Sequence, residues 1–494
     1  MLLPTLILGL LSVARQHRVL YTLDHDSLSP ADQVLAQTLQ GIVGKKEPGI
    51  WLKTSGVQAI LLENLKKQGW DIQPAKDVWS LVDIFHDQLN GMITYKLGTE
   101  SLNVATGFCG PMHSVAVDVS QIQSAANHGL RTIMDGRAFT EQRAFELYRT
   151  MYADGFVVEQ SVDKPGALRD FAVMHDAFVM DTRDHAFRKK VIAASGPNPH
   201  VFGWGPDEYG WISDISAAGG TGVAADWCIN LSVLEKLKAG RLRPPTWKPV
   251  EREDNVRYVA FVLSDGDNVQ WQTGGFVTDP KFYGSALRGQ VPMSWEVSPL
   301  LAEFAPTVLQ EIYTTAKPTD DFVTGAGLPG YVYPHAHPDR VAVAKQTEPF
   351  MHESGLKIAS ILNQNDGTLE ETFPWLDLPD VDAVIYKDYS PYNRRHGEVA
   401  WHKGKPSIAY RFVLWENLLG IDELVADIGK MPTQPKQSSD SYALVNVHAW
   451  SYGSIGGPIE AVRRVIEKLP PNTRVVTANQ LIEILQRNHL TWTK

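Results

Sequence analysis

The residues best suited to chemistry form the run Ser264-Asp265-Gly266-Asp267-Asn268, which directly follows the apolar residues 258–263. Such a nearly continuous apolar segment predicts a strand that is buried on both faces. Two carboxylates held this close disfavour double ionisation, which suits acid/base catalysis or metal binding. Gly266 permits the sharp turn between them. The alternative is that the run only caps the helix that follows.

Residues that follow other predicted strands in the sequence extend this candidate site, because ligands of α/β proteins bind at the carboxyl ends of the strands. The further catalytic candidates are Glu296, Asp388 and His448. For Glu296 the alternative is a pair with a nearby cation, and for His448 it is a purely structural role. The candidate substrate-binding residues are Trp204, Glu208, Asp226, Trp227, Asn268, Trp271, Trp295, Tyr331, Tyr333, Tyr389, Arg411, Glu416 and Trp450. This interpretation assigns no cofactor and no metal ligand.

Tryptophan is unusually frequent, with 14 in 494 residues. A half-buried indole keeps one face free to stack on a flat, weakly polar ligand such as a sugar ring. Half of the tryptophans lie in loops or at strand ends that we expect to line one cleft. They are Trp204, Trp211, Trp227, Trp271, Trp295, Trp415 and Trp450.

Two α/β regions must position these residues. In the first, residues 15–238, strand-like segments 18–23 and 49–53 alternate with helix-like segments 29–43 and 57–69. This order predicts parallel strands joined by helices, in a Rossmann-like α/β region. Residues 239–255 combine three prolines with seven charged residues, a composition typical of a linker.

The second region, residues 256–494, repeats the alternation about seven times. The predicted strands are 258–263, 289–293, 321–324, 357–362, 383–386, 407–412, 443–447 and 474–477. The predicted helices are 299–313, 340–354, 418–428 and 459–468. A (β/α)7-8 barrel-like domain is the best fit. A doubly wound open sheet is the alternative.

Charge and the amino terminus restrict the partners and the location. The formal net charge is -10 and no basic stripe stands out, which argues against nucleic acid. Residues 1–14 are apolar but too few to span a bilayer, and they are similar to a secretory signal peptide. We therefore expect an exported protein without an integral membrane segment after processing. The only cysteines are Cys109 and Cys228, so one disulfide at most is expected.

Several enzyme classes lack their signatures in this chain. No G-x-S-x-G run indicates a serine hydrolase. No glycine-rich phosphate loop follows a predicted strand, which leaves the common nucleotide sites unsupported. Asn230-Leu231-Ser232 is a glycosylation sequon, relevant only if the source glycosylates exported proteins.

Motifs along nearly the whole chain resemble the GxGYxYP-motif family. They are the segments 35–43, 103–106, 203–205, 226–227, 230–232, 264–268, 386–389 and 445–450. The signature itself reads Gly330-Tyr331-Val332-Tyr333-Pro334, with Leu328 where its first glycine should stand. The resemblance implies an α/β amino-terminal region, a barrel-like catalytic domain and glycoside hydrolysis. It brings no catalytic pair with it.

Residues and resemblance together predict a glycoside hydrolase that acts on a carbohydrate in a cleft at the carboxyl ends of the barrel strands. Asp265 and Asp267 lead as acid and base candidates, and one of them is expected to work with a carboxylate from another strand. The first alternative is a metal-dependent, polysaccharide deacetylase-like hydrolase, in which His335, His337 or His448 joins these aspartates around a divalent ion. The second is a non-catalytic carbohydrate-binding protein.

Overall fold

The computed structural model describes residues 18–492. The predicted signal segment, residues 1–14, lies outside them. Ten strands lie in the first half: β1 (Val19–Asp24), β2 (Ile50–Lys53), β3 (Asp71–Pro74), β4 (Gly91–Tyr95), β5 (Ser114–Asp118), β6 (Thr132–Asp135), β7 (Phe156–Glu159), β8 (Phe178–Met180), β9 (His200–Gly203) and β10 (Thr221–Ala224). The helices of this half are α1 (Pro30–Gly44), α2 (Val57–Lys67), α3 (Val78–Ile84), α4 (Ser101–Met112), α5 (Ile122–Asn127), α6 (Glu141–Tyr148), α7 (Arg169–Met174), α8 (His185–Ala194), α9 (Glu208–Ala217) and α10 (Leu231–Lys236).

These strands form three small parallel sheets, which confirms the predicted α/β class. The strand orders are β2-β1-β3, β5-β4-β6 and β10-β9-β7-β8. Helix α1 begins where the sequence predicts it: the Ser29 hydroxyl accepts a hydrogen bond from the Asp32 amide at 3.2 Å, and Pro30 occupies the first turn. The helix is buried from Val34 to Gly44, because it packs against several other elements of this half.

The second half adds ten more strands and eight helices. The strands are β11 (Arg257–Leu263), β12 (Met293–Val297), β13 (Asp320–Thr324), β14 (Ile358–Asn363), β15 (Ala383–Asp388), β16 (Val399–His402), β17 (Lys405–Ala409), β18 (Phe412–Leu414), β19 (Tyr442–Val447) and β20 (Thr473–Val475). The helices are α11 (Val269–Gln272), α12 (Leu301–Phe304), α13 (Pro306–Thr314), α14 (Arg340–Ser354), α15 (Phe373–Leu376), α16 (Ile421–Lys430), α17 (Pro458–Lys468) and α18 (Ala478–Trp492).

The predicted closed barrel is not confirmed, because these strands form two separate sheets. One has the order β13-β12-β11-β19-β18, with β20 also paired to β11, and the other has the order β14-β15-β17-β16. The chain changes sheets between two neighbouring residues: the Tyr410 amide donates to Tyr386 of the second sheet, and the Arg411 amide donates to Leu444 of the first. All strand pairs are parallel except β16-β17.

Helix α18 contacts strands of both sheets and closes the end of the interior opposite the strands' carboxyl ends. The Ala478 amide donates to the Ser294 hydroxyl of β12, and the Asn479 amide donates to Asp321 of β13. The carboxyl ends are thereby left as the accessible end of the interior, where functional side chains are expected. Among the helices of residues 18–492, none is long and apolar enough to cross a bilayer.

Asn230, the acceptor of the glycosylation sequon, is instead a buried connector between the first and third sheets. Its amide nitrogen donates to the Leu52 carbonyl at 2.7 Å and to Gln58 at 2.6 Å. Its amide oxygen accepts from the Leu52 amide at 2.8 Å and from Gln40 at 2.7 Å. In the folded chain this side chain is therefore unavailable for a glycan. Cys109 and Cys228 are both buried and unpaired.

We expect Asn230→Asp to lower the free energy of unfolding by about 3–5 kcal/mol. The carboxylate cannot donate to Leu52 and Gln58, and it places an unpaired charge in the interior. Denaturant titration measures the loss. Asn255→Asp is the matched control, because Asn255 has the same left-handed backbone but is exposed. Equal midpoints for the two variants would contradict the connector role.

Candidate active site

The run Ser264–Asn268 crosses the carboxyl ends of β12 and β13. A side chain at Gly266 would overlap the backbone of Glu296, and one at Gly325 would overlap the backbone of Gly266. The Gln272 side chain fixes the crossing by donating to the carbonyls of Gly266 at 3.1 Å and Glu296 at 3.2 Å. The turn therefore holds its two aspartates above the interior of the second half.

Asp265 and Asp267 have opposite environments. Asp265 has a left-handed backbone and accepts hydrogen bonds from the Trp450 indole at 2.9 Å and from the Ser264 hydroxyl. Burial raises the pKa of Asp267 well above its usual range, and the negative charge of Asp265 raises it further. Lys387 opposes this shift without cancelling it. One carboxyl thus accepts two hydrogen bonds, while the pKa of its neighbour is raised by burial and by the charge beside it.

A third carboxyl, Glu208, reaches the same place from the first half of the chain. It begins α9, and its side chain accepts a hydrogen bond from the Tyr331 hydroxyl at 2.7 Å. Burial raises its pKa, and Asp265 adds to this shift. The charge of Glu208 also acts on Asp267. Glu208, Asp265 and Asp267 together are called the carboxylate cluster below.

The signature segment joins the two halves of the chain at this cluster. The Tyr331 amide donates to the Gly222 carbonyl of β10 at 2.6 Å, and the Gly222 amide donates back to Tyr331 at 2.8 Å. A side chain at Gly330 would overlap the Gly222 carbonyl, which explains the glycine. The Tyr333 amide donates to the Ser216 hydroxyl at 2.9 Å. The substitution at Leu328 leaves this pairing intact, and Leu328 itself is buried.

Glu296 and Lys387 form a buried ion pair that connects the two sheets of the second half. The Lys387 ammonium lies 2.8 Å from Glu296 Oε1, which also accepts from the Ser360 hydroxyl at 2.8 Å. Both side chains are nearly inaccessible to solvent. The predicted strand 289–293 is in fact β12, so Glu296 lies within a strand. Its alternative interpretation, a pair with a cation, is confirmed.

His448 lies beside the cluster as a positioned neutral imidazole. Its ring stacks on Trp415 with centroids 4.0 Å apart, and Nδ1 lies 2.9 Å from the Ser451 hydroxyl. Burial lowers the pKa of His448, while the negative charge of Asp265 opposes this effect. Trp415 and Ser451 therefore hold the ring close enough to Asp265 for the charge of that carboxylate to act on it.

Two predicted charged residues are placed away from the cluster, which corrects their assignment. Asp388 follows Lys387 on β15, so its side chain faces the opposite side of the strand. There it lies 3.5 Å from Arg395, and burial raises its pKa. Arg411 binds Asp440 at 3.0 Å and the Tyr442 carbonyl at 3.2 Å. Arg411 therefore neutralises none of the proposed catalytic carboxylates.

Other predicted binding residues turn out to support the framework. Asp226 forms an ion pair with Lys164. Asn268 caps α11 by accepting from the Trp271 amide at 3.2 Å, as the alternative interpretation of the run proposed. Glu416 accepts from the Tyr452 amide at 2.8 Å. These three side chains hold loops around the candidate site, and their contact with substrate remains a prediction.

The tryptophans are only partly clustered. Trp295 and Trp211 are buried, with their indole nitrogens donating to Asp320 and Glu159 respectively. Their prediction as cleft residues is wrong, because strand and helix packing turns them inward. Trp271 and Trp450 lie 4.7 Å apart beside Asp265.

The predicted tyrosines gather on the Glu208 side. Tyr389 lies 6.1 Å from Tyr333, which is itself 5.6 Å from Tyr331. Trp204 is half-buried and packs on Trp211 at 5.1 Å. Tyr389 and Tyr333 therefore border the carboxylate cluster as predicted, although Tyr333 and Tyr331 are largely covered by protein.

Two of the three histidines of the metal-dependent alternative have partners other than the aspartates. His335 lies 3.0 Å from Glu371, and the His337 ring accepts from the Asp339 amide at 3.1 Å. Within residues 18–492, no group of three or more histidine, cysteine or carboxylate side chains has the arrangement of a metal site.

Two cavities of the structure lie away from the carboxylate cluster. A cavity of about 570 Å³ is lined by the segment Glu235–Arg243 and by α12, and another of about 550 Å³ lies beside β1. Neither contains a residue of the carboxylate cluster. The candidate site at the signature segment is therefore identified by two neighbouring carboxyls in different environments and not by the volume of a cavity.

Sequence reasoning missed Lys387, and it named Glu208 only as a binding residue. The four residues Tyr386–Tyr389 alone do not show which face of the strand Lys387 occupies, since a shift of one residue exchanges the two faces. The longer strand does indicate it, because Lys387 shares a face with Ile385, an apolar residue of the interior.

The fold and the site define an α/β protein with carboxyls and aromatic rings gathered at the carboxyl ends of parallel strands. Residues 19–87, 89–156 and 154–236 match the first, second and third domains of the GxGYxYP family. Residues 255–486 match its "GxGYxYP putative glycoside hydrolase C-terminal domain". The chain therefore belongs to the GxGYxYP family.

One solved structure shares the whole fold. It is a crystal structure from Bacteroides thetaiotaomicron VPI-5482, named a "putative hydrolase", with a TM-score of 0.87 and 26% sequence identity over 96% of each chain. No curated protein matches the chain. The comparisons thus agree with a hydrolase class, and the reaction has to be argued from the site.

Proposed function

We propose that the protein is a glycoside hydrolase whose general acid is Asp267 and whose ionised partner is Asp265, so that the two aspartates of the turn act together in place of the expected pairing with a carboxylate from another strand. The observation that carries this proposal is the contrast between two neighbouring carboxyls. Asp265 accepts two hydrogen bonds, whereas burial and the charge of Asp265 keep Asp267 protonated. Glycosidases need this combination of one acid and one carboxylate at the scissile bond.

The roles follow from the direction in which protons move. Asp267 donates its proton to the glycosidic oxygen as the bond to the anomeric carbon breaks. Asp265 either accepts a proton from the attacking water or attacks the anomeric carbon itself, and water then releases the sugar. Glu208, held by Tyr331, is positioned to accept a hydrogen bond from a sugar hydroxyl. The family description and the hydrolase name of the Bacteroides structure support this class of reaction.

Hydrolysis is expected to have a basic limb governed by Asp267. A general acid works only while protonated, so the rate should fall as pH rises through the raised pKa of Asp267. The measurement is kcat/KM against pH on 4-nitrophenyl glycosides and on polysaccharides, followed by reducing-end release. A rate that keeps rising into alkaline pH would contradict the acid role of Asp267.

A further inference from the structure

Every aromatic side chain that is exposed among residues 18–490 lies around the carboxylate cluster. They are Tyr209, Trp227 and Trp450, which are 42%, 61% and 50% exposed. The other phenylalanine, tyrosine and tryptophan side chains of this range are at least partly covered. Exposed large aromatic rings that share one region indicate a binding surface. The three rings differ in their position relative to the carboxylates.

Trp450 forms a platform on the Asp265 side. Its indole nitrogen donates to Asp265 at 2.9 Å, and its ring packs against Trp271 at 4.7 Å and Phe282 at 5.6 Å. Two further rings thus contact the indole, which keeps half of its surface exposed. In this position the ring is available to stack on a sugar unit.

Tyr209 forms a second platform on the Glu208 side. It directly follows Glu208 at the start of α9, and its ring lies 5.0 Å from Tyr389 and 5.7 Å from Tyr333. The Gln364 amide donates to its hydroxyl at 3.3 Å. Tyr209 therefore adjoins Glu208, whereas Trp450 contacts Asp265, another carboxyl of the cluster.

Trp227 is the third exposed ring and is anchored to α11. Its backbone amide donates to Gln270 at 2.7 Å, and Gln270 precedes Trp271 in α11. The Lys164 ammonium lies 4.8 Å from the centre of the indole and is paired with Asp226. A fixed cation therefore lies at this ring, which remains 61% exposed.

We propose that the cleft binds a glycan chain of several sugar units across the carboxylate cluster, so that the enzyme cleaves bonds inside such chains. This rests on the proposed function. Three exposed aromatic rings around one carboxylate cluster offer more stacking surface than the release of a single terminal sugar requires, and they match a substrate longer than a disaccharide.

The test measures affinity against chain length. The probes are cello-, xylo-, manno- and chito-oligosaccharides from the disaccharide to the hexasaccharide, titrated calorimetrically into the full chain carrying Asp267→Asn. Affinity should rise with length. Trp227→Ala should weaken binding of the hexasaccharide about tenfold and leave the disaccharide unchanged, the size expected for one lost stacking contact. Leu147→Ala removes another exposed apolar side chain, on α6, and should change neither affinity.

The outcomes separate this inference from the proposed function. Internal cleavage products from the wild-type enzyme, together with the length-dependent loss in Trp227→Ala, support it. If the wild-type enzyme hydrolyses glycosides but affinity is independent of chain length, or Trp227→Ala has no effect on the hexasaccharide, the extended surface is overturned and the hydrolase assignment stands. Absence of both binding and hydrolysis with all four series overturns the two together.

Discussion

Asp267→Asn is expected to lower the rate of glycoside hydrolysis by about 10²–10⁴-fold, the usual contribution of a general acid. The amide is nearly isosteric, so the turn at Ser264–Asn268 keeps its packing on Glu296 and Gly325. What disappears is the proton that the leaving oxygen receives. The measurement is kcat/KM on a 4-nitrophenyl glycoside and on an unactivated oligosaccharide. The activated substrate should be less affected, because its leaving group needs less protonation.

The matched control is Asp366→Asn, which makes the same chemical change at an exposed loop residue. It should leave the rate unchanged. Binding of an oligosaccharide to Asp267→Asn should persist, which separates a lost chemical step from a lost fold. Undiminished hydrolysis by Asp267→Asn would remove this residue from the mechanism and leave Glu208 as the cluster's only carboxyl with a raised pKa.

Lys387→Met is expected to lower the free energy of unfolding by about 3–5 kcal/mol, the cost of leaving one member of a buried ion pair without its partner. Glu296 is 1% exposed, and Lys387 is its only cationic contact within residues 18–492. Chemical denaturation at neutral pH measures this change. The same variant removes the charge that lowers the pKa of Asp267, so the basic limb of hydrolysis should move to higher pH.

A second substitution distinguishes ion pairing from mere packing. Adding Glu296→Gln to Lys387→Met removes the stranded charge and keeps an acceptor for the Ser360 hydroxyl. We expect the double variant to recover more than half of the lost stability. Lys468→Met serves as the control, since its pair with Asp422 is exposed and should contribute less than about 1 kcal/mol. Additive losses in the double variant would contradict a buried charge pair.

Secondary structure was largely predictable, because it depends on local pattern. The predicted helix 340–354 is α14 residue for residue, and the predicted strand 258–263 differs from β11 by one residue. The errors have local causes that the pattern hides. The predicted helix 299–313 is two helices, since Pro306 begins a new one. The predicted strand 407–412 is divided where the chain changes sheets between Tyr410 and Arg411.

The α/β class, the family and the turn that carries Asp265 and Asp267 could be predicted from the amino-acid sequence alone. Apolar runs, glycines and polar residues at strand ends act over a few residues, so they are legible without a structure. The packing of the folded chain was needed to show that Glu208 lies with these aspartates. It was also needed to show that Lys387 faces Glu296 while Asp388 faces away, and to show which tryptophans are exposed to solvent. Contacts between distant segments depend on register and packing, and a shift of one residue along a strand would exchange every one of these neighbours.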